Sequence, residues 1–259
     1  MSVRWSSHAL SDAGRVRERN EDAVLELGEE SLWGVADGMG GHHDGAHASA
    51  LAVRALARYR ASRHRGIALA RLETLIARCD EALVRHARER GVDIIGCTVA
   101  VLTLHAGTAV ASWCGDARIY RLRDGRPLPL THDHSVGAVS DDRDRNVLPE
   151  PTRHRRAALT AAVGGGGSVR LEHAWFTLDP RDRFVLCTDG LFKELDEAEI
   201  GETLGRAETA EAAVEALFER YRARGARDNI GLVGVLADDP RDPQRSPASP
   251  SPSPDEHSP

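Results

Sequence analysis

The chain has 259 residues, of which 41% are hydrophobic and 29% are charged, a composition typical of a globular protein with a sizeable core. The formal net charge of −6 argues against a basic surface for nucleic acid. No apolar run approaches the roughly eighteen residues of a membrane span, and the first ten residues lack the order of a signal peptide. We therefore expect a cytoplasmic protein without a membrane anchor.

The four cysteines lie far apart in the sequence and include no Cys-x-x-Cys pair of the kind that binds zinc. In a reducing compartment we expect them to be buried thiols without disulfide partners. They are Cys79, Cys97, Cys114 and Cys187.

Six short runs of apolar and β-branched residues, bounded by residues such as Gly, Asp and Asn, predict β-strands. Residues 105–108 separate two of these runs with a length and a glycine that suit a hairpin, and residues 123–125 offer a second turn. Such short connections predict a mainly antiparallel sheet. The runs span residues 32–36, 98–104, 109–113, 119–122, 184–187 and 230–236.

Four amphipathic segments predict helices. The clearest spans residues 67–90, where Leu69, Leu72, Ile76 and Leu83 recur at helical spacings and arginines lie opposite. The other three span residues 46–61, about 194–204, and 208–224. Because the strands cluster in the middle of the chain and the helices come in pairs, we expect an α+β fold with separate layers.

Two segments fit neither the helical period nor the pattern of a strand. Residues 135–156 are polar and rich in Asp and Arg, and a long surface excursion of this kind is usually functional or mobile. Residues 238–259 contain seven of the twelve prolines and almost nothing apolar, so we expect a disordered tail. A solvated terminus and an interaction or phosphorylation segment both remain open for this tail.

Aspartates at the ends of the predicted strands are the strongest candidates for chemistry. They are Asp37, Asp116, Asp189 and Asp228. Each alone is ordinary turn chemistry, because Asp-Gly pairs are common in turns. If the strand ends meet, however, several carboxylates share a small volume, and such close charges stay ionised only with cations between them. Hard oxygen ligands favour Mg²⁺ or Mn²⁺ over zinc.

Five motifs occur in a familiar order. Residues 17–22 contain Arg-x-x-Asn-Glu-Asp, and residues 37–41 read Asp-Gly-Met-Gly-Gly. Residues 115–120 are similar to Gly-Asp-Ser-Arg-x-Tyr, residues 188–191 to Ser-Asp-Gly-Leu, and residues 228–230 read Asp-Asn-Ile. Together they span about residues 11–235 and resemble the metal-dependent protein phosphatases of the protein phosphatase 2C type, in their bacterial form.

The resemblance implies a four-layer α/β/β/α sandwich, in which helix pairs flank two mainly antiparallel sheets. It also implies that residues 1–237 form one catalytic domain with a flap at about 135–156, and that residues 238–259 lie outside it. Two ions of Mn²⁺ or Mg²⁺ would lie in a cleft at one edge of the sandwich, with a third ion as an option.

The resemblance further implies roles for single residues. Asp37 would bridge both ions, the carbonyl of Gly38 would bind one of them, and Asp189 and Asp228 would complete the other. Arg17 would bind the substrate phosphate, because its planar donor fork suits phosphate oxygens. Arg17 and Asp37 are therefore the catalytic residues that the resemblance implies.

Four further acidic residues belong to the implied site. Glu21 and Asp22 would act through metal-bound water. Asp116 would contribute to a weaker third site together with an acid of the flap, for which Asp142 aligns best and Asp141 next. The flap is shorter than is usual in the family and rich in arginine, which is a departure from the family pattern.

The implied activity is hydrolysis of phosphoserine and phosphothreonine by direct attack of a metal-bridging hydroxide, without a covalent intermediate. Its partners would be phosphorylated proteins and a serine/threonine kinase, and we expect a monomer. The proton donor to the leaving group is unassigned: Met39 cannot protonate anything, which leaves His42 and His43 as candidates. The alternatives are a catalytically silent module that binds phosphoproteins and a phosphatase acting on small metabolites.

Overall fold

The computed structural model describes residues 4–40, 44–62, 64–105, 107–135, 159–167 and 169–237. Apart from Ser135, the predicted flap at 135–156 lies outside these ranges, and so does the whole predicted tail at 238–259. Within these ranges the chain forms eleven strands, five α-helices and one short 3-10 turn at Gly28–Glu30. None of the helices that they contain is long and apolar enough to cross a membrane.

The strands form two sheets in which every pairing is antiparallel, as predicted. In spatial order, the first sheet contains β1 (Trp5–Asp12), β11 (Ile230–Ala237), β10 (Arg183–Cys187), β7 (Arg118–Arg123) and β8 (Arg126–Pro129). The second contains β2 (Asp22–Leu27), β3 (Leu32–Met39), β5 (Val99–His105), β6 (Thr108–Cys114) and β9 (Glu172–Thr177), with the short β4 (Gly96–Cys97) beside β3.

Helices cover the outer face of each sheet. Helices α1 (Asp44–Leu56) and α2 (Arg65–Arg90) share a buried apolar cluster with the second sheet. Helices α4 (Glu197–Arg206) and α5 (Ala210–Ala223) share another with the first sheet, and the short α3 (Asp189–Phe192) joins them. A third cluster, which includes Trp33, Ile119 and Phe184, lies between the sheets. The predicted α+β sandwich of four layers is therefore confirmed.

The predicted helices are found, with shifted ends that have local causes. Helix α1 ends at Leu56, because the Tyr59 amide donates to the carbonyl of Leu56 and tightens the last turn, while the Tyr59 ring is buried. Helix α4 begins after Asp196, whose carboxylate forms a capping box with Glu199. Helix α5 begins after Thr209, whose hydroxyl accepts the amide of Ala212.

Both predicted hairpins are confirmed. The turn between β5 and β6 places Gly107 at φ +80°, and the turn between β7 and β8 places Asp124 and Gly125 at φ +51° and +73°. Positive φ at both central residues is the geometry that tight hairpins favour. Strands β1, β2, β4, β8 and β9 were not predicted, because no long apolar run marks them. Strand β9, for example, lies at a sheet edge and leaves Trp175 55% exposed.

All four cysteines are free and buried, as expected. Burial raises the pKa of the Cys79 and Cys114 thiols to about 12. Burial also holds the pKa of Cys97 and Cys187 well above the ordinary thiol value. A nucleophilic cysteine has to ionise near neutral pH, so these residues pack as small apolar side chains.

An ion pair at the end of β7 leads to a stability prediction. The Arg123 guanidinium donates two hydrogen bonds of 2.6 Å to the carboxylate of Asp182, whose side chain is 1% exposed. We expect Arg123→Met to lower the free energy of unfolding by about 3 kcal/mol, because the buried carboxylate loses its cation and keeps only the amide of Asp179 as a donor. Arg181→Met is the control, since Arg181 is 68% exposed in its surface pairs with Asp124 and Asp179 and should change stability by under about 1 kcal/mol. Urea unfolding measures both, and equal losses would contradict the argument.

Candidate metal centre

Acidic residues from both sheets meet at one edge of the sandwich. Asp22 at the start of β2 lies opposite Asp37 near the end of β3 in the antiparallel register. The Thr188 hydroxyl, which follows β10 of the other sheet, donates a 2.6 Å hydrogen bond to Asp22 Oδ2 and accepts the amide of Gly231. Thr188 therefore connects the two sheets beside Asp189.

Asp189 and Asp228 lie next to each other across the end of the first sheet. Asp189 begins α3, and Asp228 precedes β11. The ammonium of Lys193 lies 2.5 Å from Asp189 Oδ2 and 2.8 Å from Asp228 Oδ2, so the two carboxylates share one cation. Arg17, which lies between β1 and β2, places Nη2 2.8 Å from Asp228 Oδ1. Asp189 and Asp228, which the sequence resemblance nominated as metal ligands, therefore lie beside Arg17, which it nominated to bind the substrate phosphate.

Glu21 and Gly38 are held against the first turn of α1. The Gly38 amide donates to the carbonyl of Glu21 at 3.0 Å, and the Glu21 amide donates to Asn229 Oδ1 at 3.0 Å. A side chain on Gly38 would overlap the Gly45 carbonyl, which explains the glycine. A Cβ on Gly45 would lie 3.0 Å from the Gly38 carbonyl oxygen and 2.6 Å from Glu21 Oε1. Both oxygens therefore border the same small space beside Gly45.

The carboxylates of this edge oppose one another's ionisation. Burial raises the pKa of Asp22 to about 7, where the hydrogen bond from Thr188 opposes the shift and the charges of Asp189 and Asp228 add to it. Burial and the charges of Asp22, Asp189 and Asp116 hold the pKa of Asp37 well above its ordinary value. Such a set ionises fully at neutral pH only when further positive charge lies among the oxygens.

Asp116 belongs to the same electrostatic group. Burial and the nearby charge of Asp189 raise its pKa to about 6. Burial also raises the pKa of Asp189, against the effect of Lys193. Asp228 is different: burial opposes its ionisation, but Lys193 and Arg17 together lower its pKa.

The residues present fit divalent ions of the hard class. All the donors that the sequence resemblance nominated here are carboxylate or carbonyl oxygens, the ligands that Mg²⁺ and Mn²⁺ prefer. Their burial and mutual repulsion create a demand for positive charge that Lys193 and Arg17 meet in part: the pKa of Asp228 is lowered, whereas those of Asp22, Asp37, Asp116 and Asp189 stay raised. Asp142 and Asp141, named for a third site, and His42 and His43, named as proton donors, lie outside the described residues.

The structure also reveals a group that the sequence did not predict. His132 and His134 Nε2 lie 3.2 and 3.0 Å from the carboxylate of Glu172, and the ligand atoms of the three residues are close enough for one ion. However, the Gly115 amide donates to His134 Nδ1 at 3.2 Å, so the neutral ring carries its proton on Nε2, facing Glu172. We therefore interpret this group as two histidine–glutamate contacts.

Comparison with known sequences identifies the family. The sequence model described as protein phosphatase 2C matches residues 13–233, which is most of the chain. The chain therefore belongs to the protein phosphatase 2C family, which confirms the resemblance read from the motifs.

Two curated relatives show how far the similarity extends. The serine/threonine protein phosphatase PstP of Mycobacterium tuberculosis is 31% identical over 226 residues, or 87% of this chain and 43% of PstP. The chain thus spans less than half the length of that relative. The serine/threonine phosphatase stp of Listeria innocua is 29% identical over 240 residues, which cover 87% of this chain and 93% of stp.

Solved structures share the whole architecture. PppA of Pseudomonas aeruginosa, described as a key regulatory component of a type VI secretion system, matches with a TM-score of 0.80 and 36% identity, covering 90% of this chain and 98% of PppA. The catalytic domain of PstP in complex with two manganese ions matches with a TM-score of 0.78 and 30% identity, covering 92% and 100% of the two chains.

Proposed function

We propose that this chain is a protein phosphatase that depends on Mn²⁺ or Mg²⁺ and hydrolyses phosphoserine and phosphothreonine in proteins. One observation carries the proposal. Buried carboxylates from the ends of both sheets converge on one edge, where burial first and their mutual repulsion second raise their pKa values and create a need for added positive charge. Family membership and the relatives named as serine/threonine phosphatases support the same reaction.

Two ions would be held by the carboxylates of Asp37, Asp189 and Asp228 and by the carbonyl of Gly38, with Glu21 and Asp22 acting through bound water. Bound divalent ions supply a water of lowered pKa and neutralise charge on phosphate oxygens. Asp37 would be shared by the two ions, because it is buried and lies among the charges of Asp22, Asp189 and Asp116. The manganese-bound PstP structure supports this choice of ion.

Residues of the chain position the acidic side chains and would bind the substrate phosphate. Thr188 holds Asp22 by a 2.6 Å hydrogen bond, and Asn229 anchors the backbone of Glu21, so both acids keep fixed positions. Arg17 is 46% exposed at the rim of the acidic edge, where its guanidinium can bind two phosphate oxygens of an incoming substrate. Direct attack by water requires no nucleophilic side chain, and the four buried thiols offer no cysteine nucleophile as an alternative.

A third, weaker ion would use Asp116 together with Asp142 of the flap, within one catalytic domain over residues 1–237. Asp116 supports this because its carboxylate interacts with Asp189 and Asp133. The proposed surroundings are a reducing cytoplasm, which the free thiols suit, and the proposed partners are a serine/threonine kinase and its phosphorylated substrates. We propose that the chain acts as a monomer.

A metal-dependence assay tests the activity. After removal of divalent ions with a chelator, we expect the full chain to lose turnover of phosphothreonine peptides and p-nitrophenyl phosphate, and to regain it when Mn²⁺ is added. Binding of phosphopeptides without metal-dependent turnover would instead indicate a silent regulatory module. Faster turnover of small phosphorylated metabolites than of any phosphopeptide would contradict the protein substrate.

A further inference from the structure

Lys193 is the only lysine among the 34 basic residues of the chain. It lies four residues after Asp189, at the end of α3, and this spacing places its side chain back over Asp189. Its Nζ atom contacts Asp189 Oδ2 at 2.5 Å and Asp228 Oδ2 at 2.8 Å. The lone lysine therefore bridges two carboxylates that come from different parts of the chain.

These carboxylates are two of the proposed metal ligands. An oxygen that accepts a hydrogen bond from an ammonium group gives up part of its negative charge to that group. A divalent ion at the same oxygens would also lie within a few ångströms of the ammonium, where two positive charges repel. Ammonium and ion are thus alternative partners for the oxygens that face Lys193.

The lysine side chain is able to withdraw. It is 41% exposed, and a lysine ammonium is a well-hydrated charge on a flexible stem of four carbons. Arg17 is placed differently, because its Nη2 contacts the other oxygen of Asp228, Oδ1, at 2.8 Å. Lys193 can therefore move into solvent while Arg17 remains available to the substrate.

We propose that Lys193 is an internal cation that competes with divalent metal ions for Asp189 and Asp228, and so sets the metal affinity of the site. The inference rests on the proposed function, because it takes these two residues as metal ligands. A chain with this lysine requires a higher concentration of Mn²⁺ or Mg²⁺ for full occupancy than the same site without it. Lys193 would therefore raise the concentration of divalent ion at which the site is filled.

Calorimetric titration of the chelator-treated full chain with Mn²⁺ tests the competition. We expect Lys193→Met, which keeps the length of the stem and removes the charge, to bind Mn²⁺ about tenfold more tightly. Lys193→Arg should keep an affinity near that of the wild type. Arg224→Met is the matched control, because it also removes one positive charge, from a surface pair with Glu199. Its affinity should equal that of the wild type.

Chemical labelling of the wild-type chain gives a second readout. Because no other lysine exists, acylation by an N-hydroxysuccinimide ester can be followed at Lys193 by peptide mapping, separately from the terminal amine. We expect Mn²⁺ to increase the acylation rate several-fold, because the ion releases the amine from its two carboxylates. The increase should vanish in Asp37→Asn, which loses the proposed bridging ligand.

The outcomes separate the two proposals. If the wild type binds Mn²⁺ but Lys193→Met binds it equally or more weakly, the competition is refuted while the metal site stands. An acylation rate that Mn²⁺ leaves unchanged has the same meaning. If neither the wild type nor any variant binds Mn²⁺ at the acidic edge, the proposed function fails, and the competition fails with it.

Discussion

Asp37→Asn should abolish phosphatase turnover while leaving the fold intact. Asp37 lies at the centre of the acidic edge, since Asp22, Asp189 and Asp116 all act on its charge. The amide has the same shape but carries no charge, so the proposed bridge between the two ions is lost. We expect kcat on a phosphothreonine peptide to fall by about a thousandfold or more in saturating Mn²⁺.

The control for this variant is Asp124→Asn, which changes an exposed carboxylate in the turn between β7 and β8. Asn suits the positive φ at this position, so activity and stability should both remain close to those of the wild type. Circular dichroism would verify the fold of each variant. Turnover of Asp37→Asn within tenfold of the wild type would contradict the assignment of this residue.

In the presence of a chelator, the free energy of unfolding of the metal-free protein should fall as the pH rises. Burial raises the pKa of Asp22 to about 7 and that of Asp116 to about 6, whereas an unfolded chain has its aspartates near the ordinary value of about 3.9. Between these values the folded state binds more protons than the unfolded state. Its free energy of unfolding therefore decreases with pH over this window, by a few kcal/mol in total.

Urea unfolding in a chelator from about pH 5 to about pH 8 measures this slope. Asp22→Asn should make the slope shallower, because position 22 then has no carboxyl group to titrate while Asp116 still has one. Asp124→Asn, which changes an exposed carboxylate outside the acidic edge, is the control. Added Mn²⁺ should oppose the loss at the upper end, since the ions bind the ionised carboxylates of the folded state. A stability that rises with pH in the chelator-treated wild type would contradict the raised pKa values of Asp22 and Asp116.

The sequence predicted the central strands and the long helices better than the strands at the sheet edges. Apolar runs and helical periodicity located the central strands and the long helices, because a buried face has to repeat with the period of its element. Strands such as β1 and β9 were missed, since their residues are only partly buried and their hydrogen bonds depend on neighbours distant in the chain. Local pattern is a weak guide where pairing decides the conformation.

In the acidic site, too, some residues were predictable from the sequence and others only from tertiary contacts. Motif order nominated Asp37, Asp189 and Asp228 as ligands of shared ions, which implies that they meet, and their position at the ends of predicted strands made such a meeting possible. Nothing in the sequence marked Lys193 except that it is the only lysine. Its proposed role depends on contact with Asp228, which is 35 residues away in the sequence. The spacing of four residues from Asp189 was visible, but only the fold shows that both carboxylates face one ammonium.

The sequence by itself determined the family, the composition of the donor set and the preference of that set for hard divalent ions, since these follow from residue types and their order. The tertiary structure alone decided which charges are neighbours. Antiparallel register aligned Asp22 with Asp37, and the packing of the two sheets brought Thr188 to Asp22. Electrostatic coupling depends on distance and burial, and neither is contained in a linear spacing.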